Sequence, residues 1–315
     1  MIPRALTPAA FAARRPEASV RRFSGRTMGT SWSLQAVDAP ASAGAGVRRA
    51  LDRVVRQMSQ WEAQSDLSRL NRAPAGEWHA IPPEFARVMA AATAIAEASG
   101  GAFNPALGLL TERWGFGAAG PVAAVPDIAP PDAPPDIAFD AATARVRRGP
   151  GAALDLSGIA KGFGVDLAAE QLLASGVRHF LIEVGGELRG EGVQPDGQPW
   201  WIDVEPPPGL SLALWRLALH DLSVATSGNY RRGFTDGDRH YSHSFDPRSG
   251  RPIVNGVASV TVVHRSCMIA DGWATALTIV GPERGMALAD AQGLAASMIA
   301  DGREYASREW RAMLD

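Results

Sequence analysis

The sequence has 315 residues, of which 46% are hydrophobic, and its 31 basic and 33 acidic side chains give a net charge of −2. A chain of this length can bury a large core, and its near-neutral charge provides no field that would attract nucleic acid. The single cysteine, Cys267, excludes an internal disulfide framework and any multi-cysteine metal site. No apolar run reaches the length of about 18 residues that predicts a membrane span.

The first 22 residues, from Met1 to Arg22, carry five arginines and one acidic residue and contain no long apolar run. We predict a flexible basic extension here, because this composition lacks the apolar segment of a secretory signal. A cytoplasmic location is therefore expected. The pairs Arg14-Arg15 and Arg21-Arg22 leave export to the periplasmic face of the inner membrane as the alternative.

Apolar periodicity predicts the first elements after this extension. Alternation favours a strand from Phe23 to Val37, and apolar residues at three- and four-residue steps predict helices from Val47 to Trp61 and from Pro83 to Ser99. Between Gly120 and Asp136, six prolines interrupt every helical or strand period. A rigid, extended connector is therefore predicted for this stretch.

The second half of the chain mixes hairpin-linked strands with helices. The pattern predicts strands at 137–140, 144–148, 179–184, 188–192, 200–205, 211–219, 257–264 and 295–300, and helices at 165–175, 268–280 and 285–292. Because many neighbouring strands are joined by short turns, we predict an α+β fold with mixed, largely antiparallel sheets and packed helices. A polar C-terminal end is predicted at 308–315.

The stretch from Leu154 to Val165 reads Leu-Asp-Leu-Ser-Gly-Ile-Ala-Lys-Gly-Phe-Gly-Val, with three glycines spaced around Lys161 and a helical pattern directly after it. Glycines let backbone N–H groups approach an anion, and the start of a helix adds partial positive charge. The stretch could therefore hold a phosphate, although it is neither a Walker loop nor the dinucleotide fingerprint. An ordinary turn from strand to helix explains it equally well.

Asp271, Ala274 and Thr275 lie at positions i, i+3 and i+4 of an apolar helix, so they share one face. A carboxylate and a hydroxyl on one face are hard oxygen ligands of the kind that Mg²⁺ accepts, with phosphate oxygens and waters completing its shell. The alternative is structural: the acidic residue complements the helix dipole, and the threonine bonds back to a carbonyl.

His243 has the most structured setting of the histidines. It alternates with Tyr241 and Phe245 along one face of a predicted strand, before a turn of sequence Asp-Pro-Arg-Ser-Gly. A second turn of small residues, at Val224 to Arg232, precedes a strand that would pair with this one, and the two turns imply a cleft lined by His243. A structural strand histidine is the alternative. Nucleophilic hydrolases are disfavoured, because there is no Gly-x-Ser-x-Gly elbow and Cys267 lies in an apolar run.

These motifs, in this order, resemble the ApbE family of FAD:protein FMN transferases from about Thr27 to about Ala300. The matching pieces are Met28-Gly29-Thr30, Ser65 to Asn71, Gly101-Ala102-Phe103-Asn104-Pro105, Trp114-Gly115-Phe116-Gly117, Asp155 to Gly162, Glu183 to Glu187, Ala225 to Tyr230, Ser242 to Pro252 and Ala270 to Leu277. The resemblance implies one flavin transferase domain at 23–307, with two interlocked lobes and the active site in the cleft between them. Proteins of this family split FAD at its diphosphate, attach the FMN half through a phosphoester to a threonine of an acceptor protein, and release AMP.

Carried over position by position, the resemblance implies a complete site. His243 would be the general base that activates the threonine hydroxyl. Mg²⁺ would be held by the Gly158 carbonyl, Asp271, Thr275 and the Ala274 carbonyl. The residues that would contact FAD are Met28, Trp61, Ala102, Phe103, Asn104, Asp155, Lys161 and Phe245. The expected partners are thus FAD and a flavin-acceptor protein with a target threonine.

Two positions depart from the family's pattern: Asn104 stands where aspartate is common, and Trp61 where tyrosine is frequent. Asparagine keeps hydrogen-bonding capacity but loses a charge, whereas tryptophan keeps a surface for stacking. Two other activities stay open, namely hydrolysis of FAD to FMN and AMP, and a carrier or sensor that binds FAD without turnover. A carrier needs no base, so the presence of His243 together with Asp271 and Thr275 favours an enzyme.

Overall fold

The computed structural model describes residues 8–127, 135–230 and 232–313. Its strands are β1 (Val20–Thr27), β2 (Thr30–Val37), β3 (Trp78–Ala80), β4 (Ile137–Asp140), β5 (Arg145–Arg148), β6 (Phe180–Val184), β7 (Glu187–Glu191), β8 (Trp200–Val204), β9 (Trp215–Leu219), β10 (Leu222–Gly228), β11 (Gly233–Asp236), β12 (Arg239–Ser242), β13 (Phe245–Asp246), β14 (Arg251–Pro252), β15 (Val257–His264), β16 (Ala295–Ala300) and β17 (Arg303–Ala306). Its helices are α1 (Ala43–Met58), α2 (Asp66–Arg72), α3 (Pro83–Ala98), α4 (Gly108–Arg113), α5 (Ala160–Ala174), α6 (Cys267–Val280), α7 (Pro282–Ala291) and α8 (Arg308–Arg311). A short 3₁₀ helix at Pro8–Phe11 precedes them.

An eight-stranded sheet in the order β1-β2-β6-β7-β10-β15-β16-β17 forms the frame of the fold. Every pair of neighbours in it is antiparallel. Smaller sheets are formed by β3-β5-β4, β8-β9, β11-β12 and β13-β14. The predicted α+β class with largely antiparallel sheets is therefore confirmed.

The main core lies between the large sheet and helices α1, α5 and α6. The buried face of α1 repeats at three- and four-residue steps through Val47, Leu51, Val54 and Met58, as expected for a helix with one apolar stripe. Helix α5 packs against both α1 and α6 and is buried around most of its circumference. This enclosure explains why its sequence carries few polar residues.

A carboxylate of α5 fixes the start of α6. Asp166 accepts hydrogen bonds from the Ser266 hydroxyl at 2.6 Å and from the backbone N–H groups of Cys267 and Met268, each at 3.0 Å. It also accepts from the Arg189 guanidinium at 2.9 Å. Because the first N–H groups of a helix lack intrahelical partners, this side chain both caps α6 and sets its position relative to α5.

Two predicted boundaries differ for identifiable reasons. The predicted strand from Phe23 to Val37 is the β1–β2 hairpin, because Met28 and Gly29 have positive φ angles of 47° and 72° and reverse the chain. Val20 pairs with Val37, so β1 begins inside the predicted basic extension. Helix α5 begins at Ala160, five residues before the predicted start, because its glycine-rich first turns pack closely on α6.

Residues after the last predicted strand also carry regular structure. Strand β17 joins the large sheet, and α8 buries Trp310 with its backbone N–H bonded to the Ser307 hydroxyl at 3.2 Å, where the sequence predicts a polar end. Residues 1–7 of the predicted extension and 128–134 of the predicted connector lie outside the described residues. Within the described ranges, no helix combines the length and apolar character needed to cross a membrane.

Candidate active site

A cleft of about 380 Å³ opens between the first turn of α5, α6, the end of α1 and the loops that follow β10 and β12. It gathers most of the site residues predicted from the sequence. Those that line it are Met28, Trp61, Phe103, Asn104, Asp155, Gly158, Lys161, His243, Phe245, Asp271 and Thr275. Ala102 and Ala274 are not among its lining residues.

Oxygen atoms from α6 and from the turn before α5 meet at one end of the cleft. The Thr275 hydroxyl lies 3.3 Å from the Gly158 carbonyl and 3.3 Å from the Ser227 hydroxyl. Asp271 is buried, and its Oδ2 accepts from the Gly162 N–H at 2.9 Å. The structure thus brings together residues that are more than 100 positions apart in the sequence.

Glycine is required for this contact between α5 and α6. A Cβ atom on Gly158 would lie 2.8 Å from Thr275 Oγ1, and one on Gly162 would lie 2.3 Å from the Cys267 carbonyl oxygen. Real side chains do not make contacts this close. The glycines of the Leu154 to Val165 stretch therefore permit the close approach of two helices, and they leave the Gly158 carbonyl beside Thr275.

Ala274 has a different setting from the other three predicted metal ligands. Its carbonyl accepts a hydrogen bond from the Thr278 hydroxyl at 2.8 Å, and its side chain is fully buried within α6. A carbonyl that already serves a helix and a side chain has little capacity left for a cation. We therefore leave Ala274 out of the ligand set considered below.

The remaining donors fit a hard divalent cation that is shared with a ligand. They are one carboxylate (Asp271), one hydroxyl (Thr275) and one carbonyl (Gly158), and Mg²⁺ is usually held by few protein oxygens with waters and phosphate oxygens. No group of three or more His, Cys, Asp or Glu side chains that could hold a metal occurs among the described residues. The carboxylates of Asp155 and Glu187 also line the cleft, so an anionic diphosphate needs added positive charge here.

Lys161 supplies part of that charge from the first turn of α5. Its ammonium donates to Oε1 of Glu187, a carboxylate that is only 1% exposed. Burial raises the pKa of Glu187 to about 7, and the neighbouring ammonium acts in the opposite direction. Oε2 of Glu187 has no hydrogen-bond partner among the described residues. Lys161 is thus held in place by a partner on β7 while lining the cleft.

Asp155 and Asn104 use their side chains to hold the walls of the cleft. Asp155 accepts from the Ser157 N–H and from the Thr111 hydroxyl, each at 2.9 Å. Asn104 accepts from the Ala106 N–H at 2.8 Å and donates to the Pro135 carbonyl at 3.2 Å. An aspartate could accept but could not donate to that carbonyl, which gives the departure at Asn104 a structural reason.

His243 lies in the break between β12 and β13, so the strand predicted through Tyr241, His243 and Phe245 is interrupted at this point. Its Nδ1 is 3.0 Å from the Arg232 carbonyl. Because a carbonyl only accepts, Nδ1 must carry the proton in the neutral ring, and Nε2 then keeps a lone pair. Burial lowers the pKa of His243, and the positive charge of Arg232 acts in the same direction. A lowered pKa favours the neutral imidazole, which is able to accept a proton.

An aromatic cluster packs against the ring of His243. The Phe116 ring lies 6.2 Å from the His243 ring and 5.9 Å from the Phe245 ring, and Tyr241 packs on Trp114 at 5.7 Å. Tyr241, His243 and Phe245 were predicted to share one strand face, and they contact one aromatic cluster although the strand is interrupted at His243.

Four further residues line the cleft without having been predicted as site residues: Arg232, Glu187, Gln60 and Ser227. Glu187 and Ser227 lie inside pieces that match the family, but no spacing there indicates a chemical role. Arg232 stands next to another arginine in a loop, and only its contacts across the cleft distinguish it. Such contacts have no signal in one sequence.

The fold and the cleft define an α+β protein with a buried carboxylate, a hydroxyl and a neutral histidine around one pocket. The sequence model of the ApbE family matches residues 28–298 of this chain. The chain therefore belongs to the ApbE family.

Relatives of known name agree with this assignment. The chain is 37% identical to an FAD:protein FMN transferase of Vibrio cholerae, over 93% of this chain and 92% of that protein. It is 30% identical to an FAD:protein FMN transferase of Haemophilus influenzae, over 92% of this chain and 89% of that protein. The apo crystal structure of the Pseudomonas stutzeri flavinyl transferase ApbE superposes with a TM-score of 0.85 at 34% identity, and covers 94% of this chain and 97% of that chain.

Proposed function

We propose that this protein is an FAD:protein FMN transferase that moves the FMN half of FAD to a threonine hydroxyl of an acceptor protein. The observation that carries the proposal is the cleft itself, in which a histidine whose Nε2 has no hydrogen-bond partner among the described residues lies in the same pocket as the Asp271, Thr275 and Gly158 oxygens. The names of the most similar relatives support the same activity.

The proposed reaction needs one proton acceptor, for the proton of the threonine hydroxyl. The threonine oxygen forms a bond to the phosphorus of the FMN half, the bond from that phosphorus to the bridging oxygen breaks, and AMP leaves. His243 Nε2 takes the hydroxyl proton, because a threonine hydroxyl is a poor nucleophile at neutral pH without a base. The Arg232 carbonyl holds the ring in the tautomer that makes this possible.

Asp271, Thr275 and the Gly158 carbonyl are the proposed ligands for Mg²⁺, which when bound would neutralise charge on the diphosphate and on the departing AMP. Lys161 adds a positive charge beside them and is kept in position by Glu187. Because the protein holds the reacting groups in place, most of the rate enhancement should come from positioning and from charge stabilisation.

The ring systems of FAD are assigned to the apolar walls. Met28, Phe103 and Phe245 are buried or half-buried residues that line the cleft, and Trp61 is 50% exposed at its mouth. Flat aromatic ligands gain free energy by covering such surfaces, and tryptophan offers a large face for stacking. Lys161 faces the phosphates in this arrangement.

The test is an acceptor-labelling assay. The purified protein is incubated with FAD, Mg²⁺ and a candidate acceptor protein, and intact mass spectrometry of the acceptor is combined with chromatography for AMP. The expected result is an acceptor heavier by one FMN unit, an equal amount of AMP, and loss of the adduct when the acceptor threonine is changed to alanine. AMP without an adduct would assign the protein to FAD hydrolysis, and neither product would leave a carrier.

A further inference from the structure

Arg232 lines the cleft, and only its backbone carbonyl has a role in the proposed reaction. Its guanidinium lies 5.6 Å above the centroid of the Trp61 ring, and its Nη2 donates to the Phe116 carbonyl at 2.7 Å. Both partners are electrically neutral. Among the described residues no carboxylate lies within ion-pair distance of this guanidinium, in contrast to Lys161, which is paired with Glu187.

This arrangement leaves N–H groups of the guanidinium without a protein partner among the described residues. The group has five N–H donors in one plane, and the contact with Phe116 uses Nη2. The contact with Trp61 is a cation–π contact, which uses no N–H donor of the guanidinium. A guanidinium held by an aromatic ring and by one carbonyl can therefore offer further N–H groups to two oxygens of a phosphate group.

The position of Arg232 places its positive charge near the proposed base, His243. Its carbonyl oxygen is 3.0 Å from Nδ1 of His243, so the residue that orients the base also carries the unpaired charge. Three carboxylates, Asp155, Glu187 and Asp271, line the cleft, and Lys161 and Arg232 are the lysine and arginine among its described lining residues. Because Lys161 is paired with Glu187, an anion in the cleft is attracted to the guanidinium of Arg232.

We propose that Arg232 is a further substrate-binding residue, whose guanidinium binds phosphate oxygens of the FAD diphosphate while it stays stacked on Trp61. The inference rests on the proposed function, because it takes FAD as the ligand. Trp61 then has two roles, since one face supports the arginine and the rest of the ring lines the cleft. The tryptophan at position 61 suits this role, because indole is the strongest cation–π partner.

The test compares two ligands that share the flavin ring and differ in the diphosphate. FAD and riboflavin are titrated against wild-type protein and the Arg232→Gln variant by quenching of flavin fluorescence. Glutamine keeps a planar group that can donate to the Phe116 carbonyl, and it leaves the backbone contact with His243 in place. The Arg216→Gln variant, whose arginine pairs with Asp203 on the β8–β9 hairpin, is the matched control.

The Arg232→Gln change is expected to weaken FAD binding by about 10- to 100-fold, the range for loss of charge-assisted hydrogen bonds. Riboflavin binding should change by no more than about twofold, and Arg232→Lys should recover only part of the loss, because an ammonium has no planar fork. Equal FAD affinity in wild type and Arg232→Gln would overturn the proposal, as would an equal loss for FAD and riboflavin. A wild-type protein that binds no FAD would instead refute the proposed function.

Discussion

The two nitrogens of His243 have different surroundings, and this difference supports its proposed role as the general base. Nδ1 is held by a backbone carbonyl, whereas Nε2 has no such partner in the described contacts and the ring lines the cleft. A purely structural histidine gains from two satisfied nitrogens. The free nitrogen is what a general base requires.

Replacing His243 by alanine is therefore expected to lower the transfer rate by about 100-fold or more, the usual contribution of a positioned base. FAD affinity should remain within a few-fold of wild type, because the apolar walls and Lys161 are unchanged. The acceptor-labelling assay and an FAD titration measure the two quantities. His240→Ala, an exposed position on the neighbouring strand β12, is the control, and full transfer by the His243 variant would remove His243 from the mechanism.

The pH dependence of transfer follows from the direction of the His243 shift. Burial lowers the pKa of the imidazole, and the neutral ring is the active form in the proposed mechanism. The ratio kcat/KM should therefore be level near neutral pH and fall only when the pH drops through a value below the usual histidine pKa of about 6.5. Rates measured from about pH 5 to 8 check this, with FAD binding over the same range as the control. A fall that begins above the usual value would assign the profile to another group.

Asp271 is the one carboxylate among the proposed ligands of the cation. Asp271→Asn keeps the size of the side chain and an oxygen that can accept from Gly162, but it removes the negative charge. We expect the Mg²⁺ concentration for half-maximal transfer to rise by about tenfold or more. Asp203→Asn on the exposed β8–β9 hairpin should leave it unchanged. An unaltered Mg²⁺ requirement in Asp271→Asn would contradict the ligand assignment.

At the scale of elements, the packing of α5 against α6 determines the geometry of the site. The two helices are joined by the Asp166 cap, by the Gly162 to Asp271 hydrogen bond and by the absence of side chains at Gly158 and Gly162. Because these contacts connect rigid helices, a change at one of them moves the whole face that carries Asp271 and Thr275. The packing of α5 on α6 therefore fixes the positions of Asp271 and Thr275 in the site.

Gly162→Ala tests this dependence. The added methyl would lie 2.3 Å from the Cys267 carbonyl and 2.8 Å from Asp271 Cβ, so the helices must separate. We expect a loss of about 1–3 kcal/mol in the free energy of unfolding, the usual cost of overpacking, together with weaker Mg²⁺-dependent transfer. Urea denaturation measures the stability.

Gly46→Ala in α1 is the matched control for this change. Its new methyl would meet Gln171 Cγ at an ordinary 3.5 Å, so the higher helix propensity of alanine should stabilise the protein by about 0.5–1 kcal/mol. A Gly162→Ala variant that gains stability like Gly46→Ala would show that the helix contact is looser than described.

At the scale of the whole molecule, the cleft depends on both halves of the chain. Phe103 and Asp155 come from the first half, whereas His243 and Asp271 come from the second. A ligand that binds only this assembled cleft must stabilise the complete fold by mass action.

Thermal unfolding of the His243→Ala variant, which should bind FAD without consuming it, measures this linkage. FAD with Mg²⁺ at about 100 times the dissociation constant should add about 2.7 kcal/mol to the free energy of unfolding and raise the transition temperature in one step. Mg²⁺ alone and FAD alone are the controls. An unchanged transition temperature would mean that the cleft does not bind FAD.

Sequence patterns predicted elements whose periodicity is local and missed features that depend on distant contacts. The strand Val257–His264 and the face of α6 with Asp271 and Thr275 were predicted because alternation and helical spacing are visible in the sequence. The start of α5 was wrong by five residues, since its glycines lower helix propensity and only packing on α6 reveals why they are present.

Site residues that belong to family motifs were predicted from the sequence, whereas features of the site that depend on distant contacts were not. Family motifs brought His243 and Asp271 into one hypothesis, and the structure places them in one cleft. The engaged carbonyl of Ala274, the second hydrogen bond of Asn104 and the uncompensated charge of Arg232 arise from neighbours that are close only in space. No periodicity encodes such neighbours.

The hydrogen bond from Gly162 to Asp271 determines when the site can form during synthesis of the chain. The two residues are 109 positions apart, and Thr275 lies 117 positions after Gly158. On the ribosome, where the chain emerges from its N-terminus, the part of the cleft that includes Asp271 and Thr275 cannot form until α6 has left the exit tunnel. Nascent chains that stall before this point carry Lys161 but no assembled site, so incomplete products of synthesis would not split the FAD of the cell.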